Sequence, residues 1–276
     1  MEERFQYHPN QVKGMSTEEL RDAFAITELM QPEQVKWVYT HYDRMIIGGI
    51  VPVSATHTLE VHEQLKSDFF LQRREMGIIN VGGAGTVTAD GTEYVLTKLD
   101  CLYLGRGVKN VEFKSNDAGT PAQFFVLSSP AHQTYPTTLM KNSDATPLAL
   151  GTAQTANERT IFKYIHEDGI KSCQLVMGLT ILKEGSVWNT MPAHTHNRRM
   201  EVYLYFDLPL EHRVFHLMGQ PQETRHLVLG DREAVISAPW SIHSGCGTSN
   251  YSFIWGMAGE NQSFTDMDFV DIKNLK

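Results

Sequence analysis

His194-Thr195-His196 is followed, after four residues, by Glu201, and much later by His243, which lies four positions past Pro239. On a β-strand, side chains two positions apart leave from one face, roughly 6–7 Å apart along the strand, so the rings of His194 and His196 can reach a single ion. Glu201 stands an odd number of positions beyond both histidines. An uninterrupted strand would turn it away, so residues 197–200 must bend, bulge or reverse the chain. After that bend, residues 201–206 read as a new strand rich in β-formers, with Glu201, Tyr203 and Tyr205 on the face toward the site. Residues 226–236 read as two strands joined by a turn at Gly230-Asp231, Pro239 ends that ladder, and His243 completes the set. Three imidazole nitrogens and one carboxylate oxygen suit a borderline divalent ion such as zinc, iron, manganese or nickel, and not calcium or magnesium, which take mostly oxygen. Zn2+, one per chain, is the first expectation, with Mn2+ or Fe2+ as alternatives.

In a chain with twelve histidines, a pair separated by one residue also arises by chance on a solvated strand; the glutamate and the later histidine, both in strand-like sequence, argue for the metal site. His8, His41, His57, His62, His132, His166, His212, His216 and His226 have no such spacing and read as surface or core residues. Cys101, Cys173 and Cys246 show no paired spacing, and an odd count argues against a disulfide framework, which fits a reducing cytoplasm. Cys246 lies near His243 but reads as a small buried neighbour rather than a ligand. The formal net charge of −8, with both signs interspersed, leaves no footprint for nucleic acid or an anionic membrane surface. The first residues lack a basic flank and apolar stretch, and no run approaches the ~20 apolar residues of a membrane helix, so a soluble protein is expected.

The elements that must position the site are mostly strands. Ser16-Thr17-Glu18-Glu19 has the form of a capping box, and Leu20, Phe24, Leu29 and Met30 mark an apolar helix face that stops before Pro32. From Trp37 onward the pattern is β, with strands expected over 36–42, 45–53, 75–81, 85–88, 93–96, 101–104 and 123–128. The stretch from about 130 to 159, rich in Thr, Ser, Pro and Asn, reads as a connection without elements of its own. A second β-rich half follows from Thr160 to Gly259. The expected organisation is therefore an N-terminal arm and helix (1–35), a first β half (36–130), a connection (131–159) and a metal-binding half (160–276).

The halves read as divergent copies: residues 74–79 resemble 200–205. With Glu75 set against Glu201, Asp68 and Phe70 stand where His194 and His196 stand, and Asn110 lies near the place of His243. The first half is thus expected to be metal-free, with Asp68 and Glu75 at a solvated strand end.

These segments resemble the cupin metal motifs, 185–201 the first and 230–243 the second, with a longer gap from Gly185 to His194 and no glycine between Pro239 and His243. The stretches 191–203, Tyr205-Phe206-Asp207 and 237–245, with 48–52 and 70–80 in the first half, are similar to the 5-keto-4-deoxyuronate isomerase family across nearly the whole chain. The resemblance implies a mostly β bicupin of two sandwich or jelly-roll halves with an N-terminal helix. It implies zinc held at the positions of His194, His196, Glu201 and His243, a homohexamer, and a place in pectin breakdown. The implied reaction interconverts 5-dehydro-4-deoxy-D-glucuronate and 3-deoxy-D-glycero-2,5-hexodiulosonate, moving a carbonyl from C1 to C2.

Such a shift needs a base beside a carbonyl, an electrophile for the enediolate and an acid to return the proton. A metal supplies the electrophile. Tyr203, Tyr205 and Glu201 are the candidates for proton transfer. Arg198, Arg199 or Lys183 would meet the substrate carboxylate. Trp188 and Thr190 share parity with His194 and would line the pocket. The competing readings are an iron or manganese cupin dioxygenase or decarboxylase, a related 5-deoxyglucuronate isomerase, and a non-catalytic sugar-binding cupin.

Overall fold

The computed structural model describes residues 1–263 and 265–276. The chain folds as two compact units, one built from Met1–Glu3, Leu29–Thr146 and Tyr164–Met177, the other from Arg4–Glu28, Pro147–Lys163 and Gly178–Lys276.

In the first unit, a seven-stranded sheet runs in the order Glu2–Arg4, Gln34–Thr40, Ile46–Val51, Phe124–Pro130, Arg74–Asn80, Cys101–Leu104, Thr138–Met140. A four-stranded sheet runs His57–Thr58, Val111–Ser115, Gly85–Ala89, Thr92–Leu96. The alternation of Val111–Ser115 shows how the sandwich forms: Val111 and Phe113 point inward to a core that includes Ile50, Ile78, Leu102 and Phe124, while Glu112 stays exposed. Arg74–Asn80 is instead buried along its whole length. Its second face is covered by the 164–177 segment, so closely that a Cβ on Gly77 would stand 2.7 Å from the Met177 sulfur.

Glu75 sits on that covered strand and is fully buried. Its carboxylate accepts hydrogen bonds from the Tyr103 hydroxyl (2.8 Å), the Ser129 hydroxyl (3.1 Å) and the backbone N–H groups of Cys173, Gln174 and Leu175 (2.7, 2.8 and 2.9 Å). The expected solvation therefore holds for Asp68, which is exposed but in a bend and not at a strand end, and fails for Glu75, whose charge clamps a crossing segment.

The second unit repeats the plan. Its seven-stranded sheet runs Pro147–Leu150, Arg159–Ile165, Val176–Leu182, Ser252–Gly259, Arg199–Phe206, Ala234–Ser237, Ala25–Ile26, and its four-stranded sheet Trp188–Asn189, Ser244–Gly247, Val214–Gln220, Glu223–Leu229. His194–Thr195 pairs separately with Asp268–Phe269. The expected helix forms, closed at its start by the Ser16/Glu19 capping box and burying Leu20, Ala23 and Phe24, but it spans only Thr17–Phe24: Ala25–Ile26 continue as a strand, and Leu29 and Met30 are buried beyond the helix. It is fastened within this unit: Arg21 donates to the Val228 carbonyl, and Arg225 to those of Val12, Lys13 and Met15.

Two expectations change. Glu223–Leu229 and Ala234–Ser237 are strands, but they lie in different sheets, so the Gly230-Asp231 turn is a corner and not a hairpin. The 131–159 connection supplies two edge strands: Thr138–Met140, which pairs with Cys101–Leu104, and Pro147–Leu150, which pairs with the next strand, Arg159–Ile165.

Candidate metal centre

Three separate backbone features converge on one point. His194 lies on the short strand pinned by Asp268–Phe269, His196 follows at its end, and the chain then turns so that Arg199–Phe206 enters the central sheet with Glu201 paired to Ser237 and Met257. His243 arrives from the loop between Ala234–Ser237 and Ser244–Gly247. The Nε2 atoms of His194 and His243 lie 2.9 Å apart, and Glu201 Oε2 stands 2.9 Å from His243 Nε2 and 3.1 Å from His196 Nε2. All four residues are buried, and one potential ligand atom from each falls within 4.8 Å of the others; no other such group occurs among the described residues. Two nitrogens each about 2.1 Å from a common ion stand about 3.0–3.4 Å apart, so these separations are close to those of neighbouring ligands.

The ring orientations fit the same use. His196 Nδ1 lies 2.9 Å from the Arg199 carbonyl, and His243 Nδ1 lies 3.4 Å from that of Ser241. A carbonyl only accepts, so each Nδ1 carries the proton and each Nε2 presents its lone pair inward. Burial, reinforced by His243, pushes the His194 pKa down to about 3, leaving that ring a neutral donor. Burial alone would lower His196 as well, but hydrogen bonding and charge from Glu201 outweigh it and raise the pKa. Glu201 is held well below the usual carboxylate range because His243 and His196 outweigh its desolvation.

His194, His196 and Glu201 line a cavity of about 390 Å³, within the size range of small-molecule sites, with His243 packed behind them. Of the tyrosines, Tyr203 lines it, with its hydroxyl 3.0 Å from Thr190 Oγ1 and donating to the His243 carbonyl at 3.3 Å. Burial and then the Glu201 charge push its pKa far above the ordinary value, so the phenol keeps its proton. Tyr205 does not line the cavity; its hydroxyl lies 2.8 Å from Nδ1 of the buried His216.

Among the residues assigned to substrate, Thr190 and Arg199 line the cavity, while Trp188, Arg198 and Lys183 do not. Arg199 is buried and committed to the protein, pairing with Asp266 at 2.7 Å and donating to Asn261 and Ser263. Arg198 pairs with Asp266 and Asp268, and Lys183 reaches Glu158 at 3.5 Å. Sequence reasoning passed over Arg159 and Lys163. They line the cavity with Ile161 from one face of Arg159–Ile165. The period-two spacing carried the signal, but Arg159 was placed at the end of a structureless connection.

A two-sandwich β-protein with a buried imidazole–carboxylate cluster opening into a pocket is of the cupin type. The chain belongs to the KduI/IolB family, whose sequence model matches residues 25–272. It is 55% identical over 276 residues, all of both chains, to a 4-deoxy-L-threo-5-hexosulose-uronate ketol-isomerase of Shouchella clausii (strain KSM-K16). It is 52% identical, again over the full length of both, to the protein of that name from Bacillus subtilis (strain 168). Among solved structures, an IolB-like protein from Salmonella typhimurium LT2 is similar with a TM-score of 0.70 at 14% identity, covering 90% of this chain and 96% of that one. The Lactobacillus farciminis oxalate decarboxylase formate complex is similar with a TM-score of 0.61 at 10% identity, covering 90% and 88%. These structural likenesses speak to the fold alone.

Proposed function

We propose that the chain is a metal-dependent ketol-isomerase that interconverts 5-dehydro-4-deoxy-D-glucuronate and 3-deoxy-D-glycero-2,5-hexodiulosonate, an intramolecular oxidoreduction in uronate and pectin breakdown. The observation that carries this reading is the buried His194, His196, Glu201 and His243 cluster, three members of which line a cavity. Full-length identity above one half to proteins named for that isomerisation supports the substrate class.

His194, His196, Glu201 and His243 would hold one divalent ion, zinc in the first instance. When bound, the ion polarises a substrate carbonyl as a Lewis acid. The chain's own groups do the rest. Tyr203, protonated and beside Thr190, turns its one O–H from the His243 carbonyl to substrate oxygen, as hydrogen-bond donor or acid. Glu201 is the one carboxylate among the described residues lining the cavity, and it is the candidate base when released from its ligand role. Trp255, Phe253 and Met257, all buried, line the walls and keep water from the enediolate. Tyr205 supports the floor through His216.

The first β half is proposed as a metal-free support. A cytoplasmic homo-oligomer, a hexamer as in the resembling family, completes the reading; sizing by light scattering tests that part. The chemistry is tested by turnover of the keto-uronate with chelator-treated protein, before and after adding zinc, manganese or iron, with dissolved oxygen followed. Metal-restored isomerisation without oxygen uptake is expected. No turnover with any metal would overturn the reading, and oxygen consumption would favour a dioxygenase.

A further inference from the structure

The cavity holds more positive charge than its own carboxylate needs. Its lining carries Arg159, Lys163 and Arg199 against one acid, Glu201. Glu201 is occupied by His196 and His243, and Arg199 by Asp266. Arg159 differs from both. Its hydrogen bond is a single one, from Nη1 to the Asn157 carbonyl at 2.9 Å, and no carboxylate among the described residues pairs with it. A guanidinium has five N–H donors in a planar fork, so most of this one stays available on a half-buried cavity wall. Holding a partly desolvated charge without a counter-ion is costly, and its persistence at a pocket wall points to an anion that arrives from outside.

The backbone fixes where that fork stands. Arg159 begins the Arg159–Ile165 strand, pairs with Leu150 of the edge strand, and shares its face with Ile161 and Lys163. It is held by a ladder, and the Asn157 carbonyl takes one arm of its fork. Arg198 and Lys183, by contrast, are neutralised by acids outside the cavity.

We propose that Arg159 is the specificity-determining residue that binds the carboxylate of the sugar acid, so that the site selects uronates over the corresponding neutral sugars. This rests on the isomerase reading. A keto-uronate carries its reactive carbonyl and its carboxylate at opposite ends. With the carbonyl end at the imidazole–glutamate cluster, the carboxylate meets Arg159 through paired N–H···O bonds, a geometry a lysine ammonium does not reproduce. A neutral analogue with CH2OH in place of the carboxylate leaves the guanidinium unpaired and is rejected.

The test compares wild type, Arg159→Met and Arg159→Lys, first checking metal content and thermal unfolding of each. KM and kcat are measured for the keto-uronate and for its 6-hydroxy neutral analogue, and binding of glucuronate is measured by calorimetry. For Arg159→Met we expect KM for the uronate to rise on the order of 10–100-fold with kcat within a few-fold, KM for the neutral analogue to stay put, and glucuronate binding to weaken in parallel. Arg159→Lys, which keeps the charge and carries the test if the methionine variant does not fold, should show a smaller rise of the same kind. An unchanged KM for the uronate, or equal losses for charged and neutral substrates, would overturn the proposal. If wild type turns over neither sugar yet binds glucuronate in an Arg159-dependent way, the isomerase reading falls and the carboxylate site stands.

Discussion

Replacing Glu75 tests whether the glutamate of the first half has become a purely structural clamp. Its carboxylate accepts five hydrogen bonds, three of them from consecutive backbone N–H groups at Cys173, Gln174 and Leu175. In Glu75→Gln the less costly orientation keeps the amide oxygen at the Oε1 position, serving Ser129, Gln174 and Leu175. The NH2 group then faces Tyr103, whose hydroxyl can turn to accept, and the Cys173 N–H, which cannot. One lost charge-assisted bond and one opposed donor cost about 2 kcal/mol. Glu75→Ala strands all three N–H groups, two of them only partly buried and within reach of water, for a cost of about 4 kcal/mol. At about 2–4 °C per kcal/mol for chains of this size, the midpoints should fall by about 4–8 °C and 8–16 °C. Thermal unfolding by circular dichroism reads the shift, and hydrogen exchange should show residues 173–175 losing protection first. Metal content should not change, because the cluster at His194 belongs to the other unit. Variants that unfold within about 1 °C of wild type, with unchanged exchange at 173–175, would refute the clamp.

His243→Ala should strip the metal and abolish turnover while far-ultraviolet circular dichroism stays native, since the ring lies in a loop beside the sheets; elemental analysis of dialysed protein checks it. Tyr203→Phe keeps the packed ring and removes the hydroxyl, so kcat should fall about 100-fold with metal content intact, measured by steady-state kinetics. Glu33 has its pKa lowered to about 2 by hydrogen bonds from Ser54, with Val53 and Ala55 adding to it. Its folded value lies below the ordinary one, so its contribution to stability is complete above about pH 4.5 and disappears as pH falls toward 2. The stability gap between wild type and Glu33→Gln, from urea melts, should therefore be widest near neutrality and close at low pH.

The spacing of His194, His196 and Glu201, with His243 following the proline, was readable because a strand alternates its faces every two residues and an odd step demands a bend. The capping box at Ser16 and most strand cores were readable for the same kind of local reason. Glu75 was misread because a glutamate at a strand start looks solvated until something far along the chain supplies its donors; here they lie about a hundred residues away. Pro147–Leu150 and Thr138–Met140 were invisible because an edge strand is made by its partner, and the Pro and Asn residues scattered through this stretch mask the strand propensity of its threonines.

Arg198, Arg199 and Lys183 share one lesson with Arg159. All four are cations near the motif or its strands, and sequence cannot tell which will be neutralised by an acid brought from elsewhere. Asp266 and Asp268 take the first two and Glu158 the third, while Arg159 keeps most of its fork open to the cavity. The sequence by itself determined the donor set and the β architecture, because ligand chemistry and strand alternation are properties of residue type and local spacing. Only the tertiary structure decided which charges face the cavity and which are spent on the fold, because that depends on pairings between residues far apart in the chain.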